Sequence, residues 1–207
     1  MIPQNTDFWV KRPAEDSHKD WLYAGDWITG YELSVSHPHR KVIIELLRSL
    51  PPFASLLEVG CSVGPNLSLI HKAFPEAVLS GIDPSEESVR RAQGFVPYAN
   101  VKVGDVRELS VEPVDVILAD ASLMYVTPEE ISQVMDRLSW TAKYVLIVDR
   151  HNSDKLGKPT GGVWGRNYTR LLKERGFSVM TKKVAAEEWP HSPNWAKFGH
   201  YWVGMKK

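Results

Sequence analysis

A chain of 207 residues, 43% of them apolar and 24% charged, has the composition of a folded globular protein, one domain with an extension, and excludes long disordered tracts. Its 25 basic and 25 acidic side chains balance to a formal net charge of zero, which offers no electrostatic grip on nucleic acid or on an anionic membrane. The lone cysteine, Cys61, excludes an intramolecular disulfide framework. With no recognisable secretory leader and no apolar run near the ~18 residues of a membrane span, the cytoplasm is the expected compartment.

Residues 1–50 read as an aromatic flank or lid, in which Trp9, Trp21, Tyr23, Trp27 and Tyr31 sit among polar residues before a helix from Pro38 to Leu50. Residues 51–207 read as the main domain. There, apolar runs of strand length alternate with segments of helical period, the pattern of a doubly wound α/β sheet covered on both faces. The predicted strands are Ser55 to Val59, Val78 to Ile82, Val101 to Val103, Val114 to Ala119 and Tyr144 to Val148. Leu67, Ile70, His71 and Phe74 fall at i, i+3, i+4 and i+7 of a helix that Pro75 ends. Ser85 caps a second helix with Glu86 and Glu87 in its first turn, and Thr127 caps a third ahead of Pro128. A loop from Asp149 to Gly162 precedes a helix over Val163 to Arg175 that stops at Gly176. Two last strands, Phe177 to Val184 and Phe198 to Met205, are separated by a segment too short for a helical crossover, so they are expected to be antiparallel.

The first strand runs into Gly60-Cys61-Ser62-Val63-Gly64, a tight turn ahead of a helix. Gly60 and Gly64 lack the Cβ atoms that keep a ligand off the backbone, although a mere packing turn has glycines too. Asp83 closes the second strand 23 residues after Gly60 (83 minus 60), near the ~20-residue offset of a carboxylate that bonds ribose hydroxyls. Helix capping is the competing reading for Asp83 and for Asp105 after the third strand.

Glu58-Val59-Gly60-Cys61-Ser62-Val63-Gly64 resembles the first motif of class I S-adenosylmethionine-dependent methyltransferases, with Asn66 where the family usually has a third glycine. The resemblance extends over Leu56 to Met205. It implies a Rossmann-like sheet of seven strands, mostly parallel with an antiparallel C-terminal strand and helices on both faces. It also implies S-adenosylmethionine as cofactor and a methyl transfer reaction. Carried onto this chain, it places Glu58, Gly60, Cys61, Ser62, Gly64 and Asn66 around the cofactor turn, Asp83 with Pro84 at the ribose, Asp105 with Val106 at the adenine, and Asp120 beneath the methionine part. Cys61, without a partner base, is a small packed residue and not a nucleophile.

Lys11, Arg12, Arg40 and Lys41 lie in or beside the aromatic flank, and Arg40 at a helix start is the candidate partner for the cofactor carboxylate. Asp149, Arg150 and His151 follow the fifth strand. His151 or Asp149 is the expected general base, with Tyr125 shaping the pocket, against the bland reading of a solvated loop. Trp164, Trp189, Trp195 and Trp202 are pocket candidates, though packing is their commoner use. His37 and His39, and His191 and His200, lack the i, i+4 spacing of a helical metal site, so no metal is expected. By elimination the acceptor is a small molecule methylated on oxygen or nitrogen, neither nucleic acid nor membrane is a partner, and the protein is a monomer or homodimer.

Two rival readings remain. One is a methyltransferase-like binding subunit without activity. The other is a nicotinamide-dependent oxidoreductase, which Ser62 and Pro65 oppose by standing where a G-x-G-x-x-G turn needs glycines.

Overall fold

Strands buried on both faces need apolar residues at successive positions, and four such runs, with a short and mostly exposed edge strand, form the parallel part of the sheet. In the computed structural model these are β1 (Ser55–Val59), β2 (Val78–Asp83), β3 (Asn100–Val103), β4 (Val114–Asp120) and β5 (Ala142–Arg150). The structure describes residues 9–10, 27–110, 112–160, 162–190 and 192–207. Lys11, Arg12, Trp21, Tyr23 and His191 lie outside the described residues, as does the side chain of Trp27.

Two C-terminal strands, β8 (Phe177–Lys183) and β9 (Gly199–Lys206), complete a seven-stranded sheet of order β3-β2-β1-β4-β5-β9-β8. β9 pairs antiparallel with both β5 and β8, so it alone runs against the other six. This is the expected doubly wound sheet with an antiparallel ending. The order reverses between β1 and β4, and the crevice beyond their carboxyl ends is where such sheets bind ligands.

Successive side chains of a strand point to opposite faces, and the core divides accordingly. Leu56, Val116, Leu118, Leu146 and Val148 pack on one side with Ile43 and Leu47 of α2 (Pro38–Arg48), Leu67 and Ile70 of α3 (Pro65–Ala73), and Val89 and Ala92 of α4 (Glu86–Phe95). Leu57, Ile117, Ala119, Val145 and Ile147 face the other side, against Val134 and Leu138 of α5 (Ile131–Thr141) and Leu171 and Leu172 of α6 (Tyr168–Lys173). A short α1 (Trp27–Leu33) precedes α2, and α7 (Pro193–Phe198) precedes β9. No helix among the described residues is long and apolar enough to cross a membrane.

Ser85 caps α4 as expected, its hydroxyl accepting the Ser88 N–H at 3.3 Å. Thr127 does not cap α5. The Thr127 hydroxyl instead donates to the Glu130 carboxylate at 2.8 Å, and the Thr127 carbonyl accepts from the Glu130 and Ile131 N–H groups, so Pro128 and Glu129 form a turn and the helix begins at Ile131.

The expected loop from Asp149 to Gly162 is also corrected. β5 continues to Arg150 because β9 lies beside it that far, pairing Arg150 with Gly199. A small hairpin of β6 (Lys158–Thr160) and β7 (Val163–Gly165) follows, and the helix predicted from Val163 shrinks to α6. Buried Arg166 fixes this arrangement. Its guanidinium donates to the carbonyls of Leu156 at 2.8 Å, Leu123 at 2.9 Å and Val126, tying the hairpin to the turn after β4.

Candidate active site

A cavity of about 450 Å³ opens over the carboxyl ends of β1, β2 and β4, within the size range of small-molecule sites. Gly60 forms one wall with a backbone φ of +74°. A Cβ there would lie 2.4 Å from Ser122 Cβ, so the turn after β1 and the turn after β4 touch through a position that only glycine fills. The Gly60 N–H donates to the Ile82 carbonyl at 2.8 Å, which locks the first turn to the end of β2.

Asp83 ends β2 beside that turn. Its carboxylate accepts the Ser62 N–H at 2.8 Å and the Ser85 N–H at 2.9 Å. Burial pushes its pKa up to about 6, with the two backbone donors working against the rise. Asp105 caps the single turn Val106–Glu108, accepting the Arg107 N–H at 2.8 Å and the Arg107 guanidinium at 2.7 and 2.9 Å. Asp105 therefore is a cap, as one reading had it, and it lines the cavity with Val106 and Pro84.

At the far end, Asp120 closes β4. One carboxylate oxygen, Oδ2, accepts from His39 Nε2 at 2.9 Å, Asn66 Nδ2 at 2.9 Å and Arg40 Nη1 at 3.2 Å. Burial alone would raise this carboxyl, but His39, Arg40 and Asn66 outweigh burial and hold it well below the usual carboxylate range. Arg40 also donates from Nε to the Ser34 carbonyl, from Nη2 to Ser34 Oγ and from Nη1 to Asn66 Oδ1. Four of its five N–H donors are thus engaged within the protein.

Gly60, Ser62, Asp83, Pro84, Asp105, Val106, Asp120, Arg40 and Tyr125 come together on this cavity. Others stand behind it. Glu58 is buried and bonds Asn66 Nδ2 through Oε1 at 2.7 Å, and burial pushes its pKa up to about 8. Asn66 bridges Glu58, Arg40 and Asp120 from the start of α3. Cys61 packs into the core, its thiol pushed well up by burial. Gly64 caps α3 with φ +87° and lies against Val96.

Neither expected base reaches the cavity. Asp149 is fully buried on the opposite face of β5, accepting the Tyr168 hydroxyl at 2.9 Å and the Arg150 N–H at 2.7 Å, and burial pushes its pKa up to about 7. His151 packs outside, its ring 4.8 Å from that of His200 and 6.1 Å from that of Trp202. The reason is strand alternation: with β5 extended to Arg150, Arg150 takes the cavity side and Asp149 turns away. Tyr125 does line the site, its ring 5.4 Å from Trp9.

The sequence reading missed His37 and His39 as site residues, having weighed them only as metal ligands. Their signal was a His-Pro-His-Arg run at the start of a helix whose next turns are apolar. Among the four tryptophans, Trp189 and Trp195 line the cavity, stacked with ring centres 3.8 Å apart, whereas Trp202 is core.

Residues 56–143 match the family model described as a methyltransferase domain. The trans-aconitate 2-methyltransferase of Yersinia pseudotuberculosis is 28% identical over 145 residues, covering 69% of this chain and 53% of the relative. That of an Enterobacter species is 33% identical over 104 residues, 49% of this chain and 41% of the relative. The chain thus spans about half the length of the curated relatives it matches. A magnesium protoporphyrin IX methyltransferase from Synechocystis PCC 6803, crystallised with bound S-adenosylmethionine, superposes with a TM-score of 0.70 at 16% identity over 98% of this chain and 95% of that one. At that identity the likeness is one of fold.

Proposed function

From a chain that carries a class I methyltransferase domain on a complete class I sheet, we propose that it binds S-adenosylmethionine in the cavity over β1, β2 and β4 and transfers the methyl group to a small molecule. The observation that carries this reading is the pairing of Gly60 with Asp83 on one wall. Gly60, at a position where Ser122 leaves no room for a Cβ, carries the turn backbone along the cavity wall, and beside it stands a carboxylate with two of its roughly four lone-pair positions spent on backbone N–H groups. Two acceptor positions remain, which suits a ribose diol. Asp105 with Val106 and Pro84 would hold the adenine end, and Asp120 the methionine end.

When bound, the cofactor supplies an electrophilic methyl carbon on a sulfonium whose leaving group is a neutral thioether. The chain's own work is then to hold an acceptor in line and to exclude water. Trp9, Tyr31, Tyr125 and Trp189 give the cavity aromatic walls, the first two from the described part of the N-terminal flank. The remaining N–H of Arg40, which lines the cavity, would serve a cofactor carboxylate. A small-molecule acceptor is supported by the zero net charge and by the name of the Yersinia relative, whose substrate is trans-aconitate. On this reading the protein works in the cytoplasm, as a monomer or homodimer, without metal. The antiparallel β9 and the missing glycines count against a nicotinamide oxidoreductase.

The test is calorimetry and thermal denaturation with S-adenosylhomocysteine, with NAD as control. A ligand at 100 times its Kd stabilises by about 2.7 kcal/mol, which lifts Tm by several degrees in a domain of this size. Binding of S-adenosylhomocysteine with no effect of NAD is expected; no binding of S-adenosylhomocysteine overturns the reading.

A further inference from the structure

Two histidines at the cavity, His37 and His39, have no part in the cofactor binding proposed above, although they join its Asp120. His37 Nδ1 lies 2.5 Å from His39 Nδ1, and His39 Nε2 lies 2.9 Å from Asp120 Oδ2, so two imidazoles and a carboxylate form an unbroken chain. The start of α2 does not require it. His37 makes no capping hydrogen bond through its side chain, and Pro38 at the first helical position has no N–H to satisfy. Rings fix the planes: Trp189 stacks on His39 at 4.0 Å and meets His37 edge-on at 5.1 Å.

The proton positions along this chain follow from its end. Ionised Asp120 only accepts, so His39 Nε2 carries a hydrogen. Neutral His39 then presents a lone pair at Nδ1, and His37 must donate from its own Nδ1. That leaves His37 Nε2 as a bare lone pair on a residue lining the cavity, with no hydrogen-bond partner among the described residues.

We propose that His37 is the catalytic base that removes the acceptor's proton, held in its working tautomer by His39 and Asp120 as positioning residues, and that the acceptor group is a hydroxyl on a flat aromatic body, which the Trp9, Tyr31 and Tyr125 rings lining the cavity would receive. The proposal rests on the methyltransferase reading. As the acceptor oxygen's lone pair forms the new bond to the methyl carbon and the C–S pair stays with sulfur, the hydroxyl proton passes to His37 Nε2. The proton on His37 Nδ1 moves to His39 Nδ1, and the positive charge comes to rest on His39 beside the Asp120 carboxylate. Product release and return of a proton to solvent restore the chain. A carboxylate acceptor would need no such base, because it has no proton to lose at neutral pH.

The groups facing the pair are His39 and Arg40 on the same helix, Asp120 on β4, and Glu188 in the turn before α7. Burial, followed by His39 and Arg40, pushes His37 down to about 3, with Asp120 opposing. Burial likewise holds His39 below the usual value in spite of Asp120. Both rings are therefore neutral at physiological pH, so His37 Nε2 is unprotonated and open to a proton.

The test has three arms on the full chain. Nitrogen-15 NMR of histidine-labelled protein with S-adenosylhomocysteine should show His37 as the Nδ1–H tautomer at neutral pH, and His39→Phe, which removes the acceptor, should abolish that preference. Methyl transfer to phenol should fall by about 100-fold or more in His37→Gln, while transfer to 4-nitrophenol, with both acceptors assayed at a mildly alkaline pH where only the nitrophenol is largely ionised, should fall far less. Calorimetry should find S-adenosylhomocysteine binding in the wild type and in His37→Gln alike. A wild-type His37 with hydrogen on Nε2, equal losses on the two phenols, or a wild type that methylates neither overturns this assignment alone. Failure of the wild type to bind S-adenosylhomocysteine overturns the methyltransferase reading and the base assignment with it.

Discussion

Gly60→Ala separates the two demands that the turn after β1 makes on its residue. Gly60 has φ +74°, and an added Cβ would sit 2.4 Å from Ser122 Cβ. Gly176, after α6, provides the control, with φ +83° and nothing within 4 Å of an added Cβ. In either place an alanine enters the left-handed region at about 1–2 kcal/mol. Only at position 60 does it also overpack. Ser122 cannot rotate its Cβ away, and its hydroxyl is tied to the Val59 carbonyl at 2.8 Å, so a further ~1–3 kcal/mol is lost there. With about 2–4 °C of Tm per kcal/mol in a domain of this size, Gly60→Ala should melt several degrees below Gly176→Ala in thermal denaturation followed by circular dichroism. Calorimetry should show weakened S-adenosylhomocysteine binding for Gly60→Ala and unaltered binding for Gly176→Ala. Equal melting temperatures, or full affinity in Gly60→Ala, would refute the close approach of the two turns and its role in the site.

Asp83→Asn should keep the fold, because an amide oxygen still accepts one of the two backbone N–H groups, while lowering S-adenosylhomocysteine affinity by roughly 10- to 100-fold, the loss of a charge-assisted hydrogen bond or two; undiminished affinity in calorimetry removes Asp83 from the ribose. Glu58 and Asp149, buried and raised to about 8 and about 7, bind more protons in the folded than in the unfolded state between pH 4 and those values. Stability should therefore be greatest below about pH 4 as far as these two groups decide it, and fall as pH rises through 7 and 8. Glu58→Gln should flatten the upper part of that fall in Tm measured against pH, and an unchanged profile would show that Glu58 is ionised throughout. Arg166→Met leaves the carbonyls of Leu123, Val126 and Leu156 without their donor, an expected loss of about 3 kcal/mol or more that denaturant unfolding can read; a loss under ~1 kcal/mol would mean that the turn after β4 holds itself.

The sheet was legible in the sequence because strands covered on both faces are apolar at nearly every position, and Leu56, Leu57 and Val59, with Val116 to Ala119, are buried. The Ser85 cap was legible because its partner lies three residues away. Contacts set by remote chain were not. β5 runs past Val148 only because β9, about fifty residues later in sequence, pairs with it as far as Arg150, and the Asp149-Arg150-His151 run, being polar, reads as loop in isolation.

Alternation resolves what that loop assignment concealed. Val145 and Ile147 face α5 and α6, whereas Leu146 and Val148 face the side of α2 and α3. Continuing the same period puts Asp149 with Val145 and Ile147, against Tyr168, and Arg150 with Leu146 and Val148, its guanidinium 5.7 Å from the Trp195 ring. A base sought at the end of the fifth strand was thus on the wrong face by one residue. Among the described residues, the one strand-end carboxylate bonded to a histidine beside the cavity is Asp120, and its partner His39 is 81 residues earlier in the chain. No local pattern joins those two positions. They meet because β4 lies at the point where the strand order reverses, so that its carboxyl end faces the flank that precedes the sheet, and it is there that a proton-accepting group for the acceptor has to be sought.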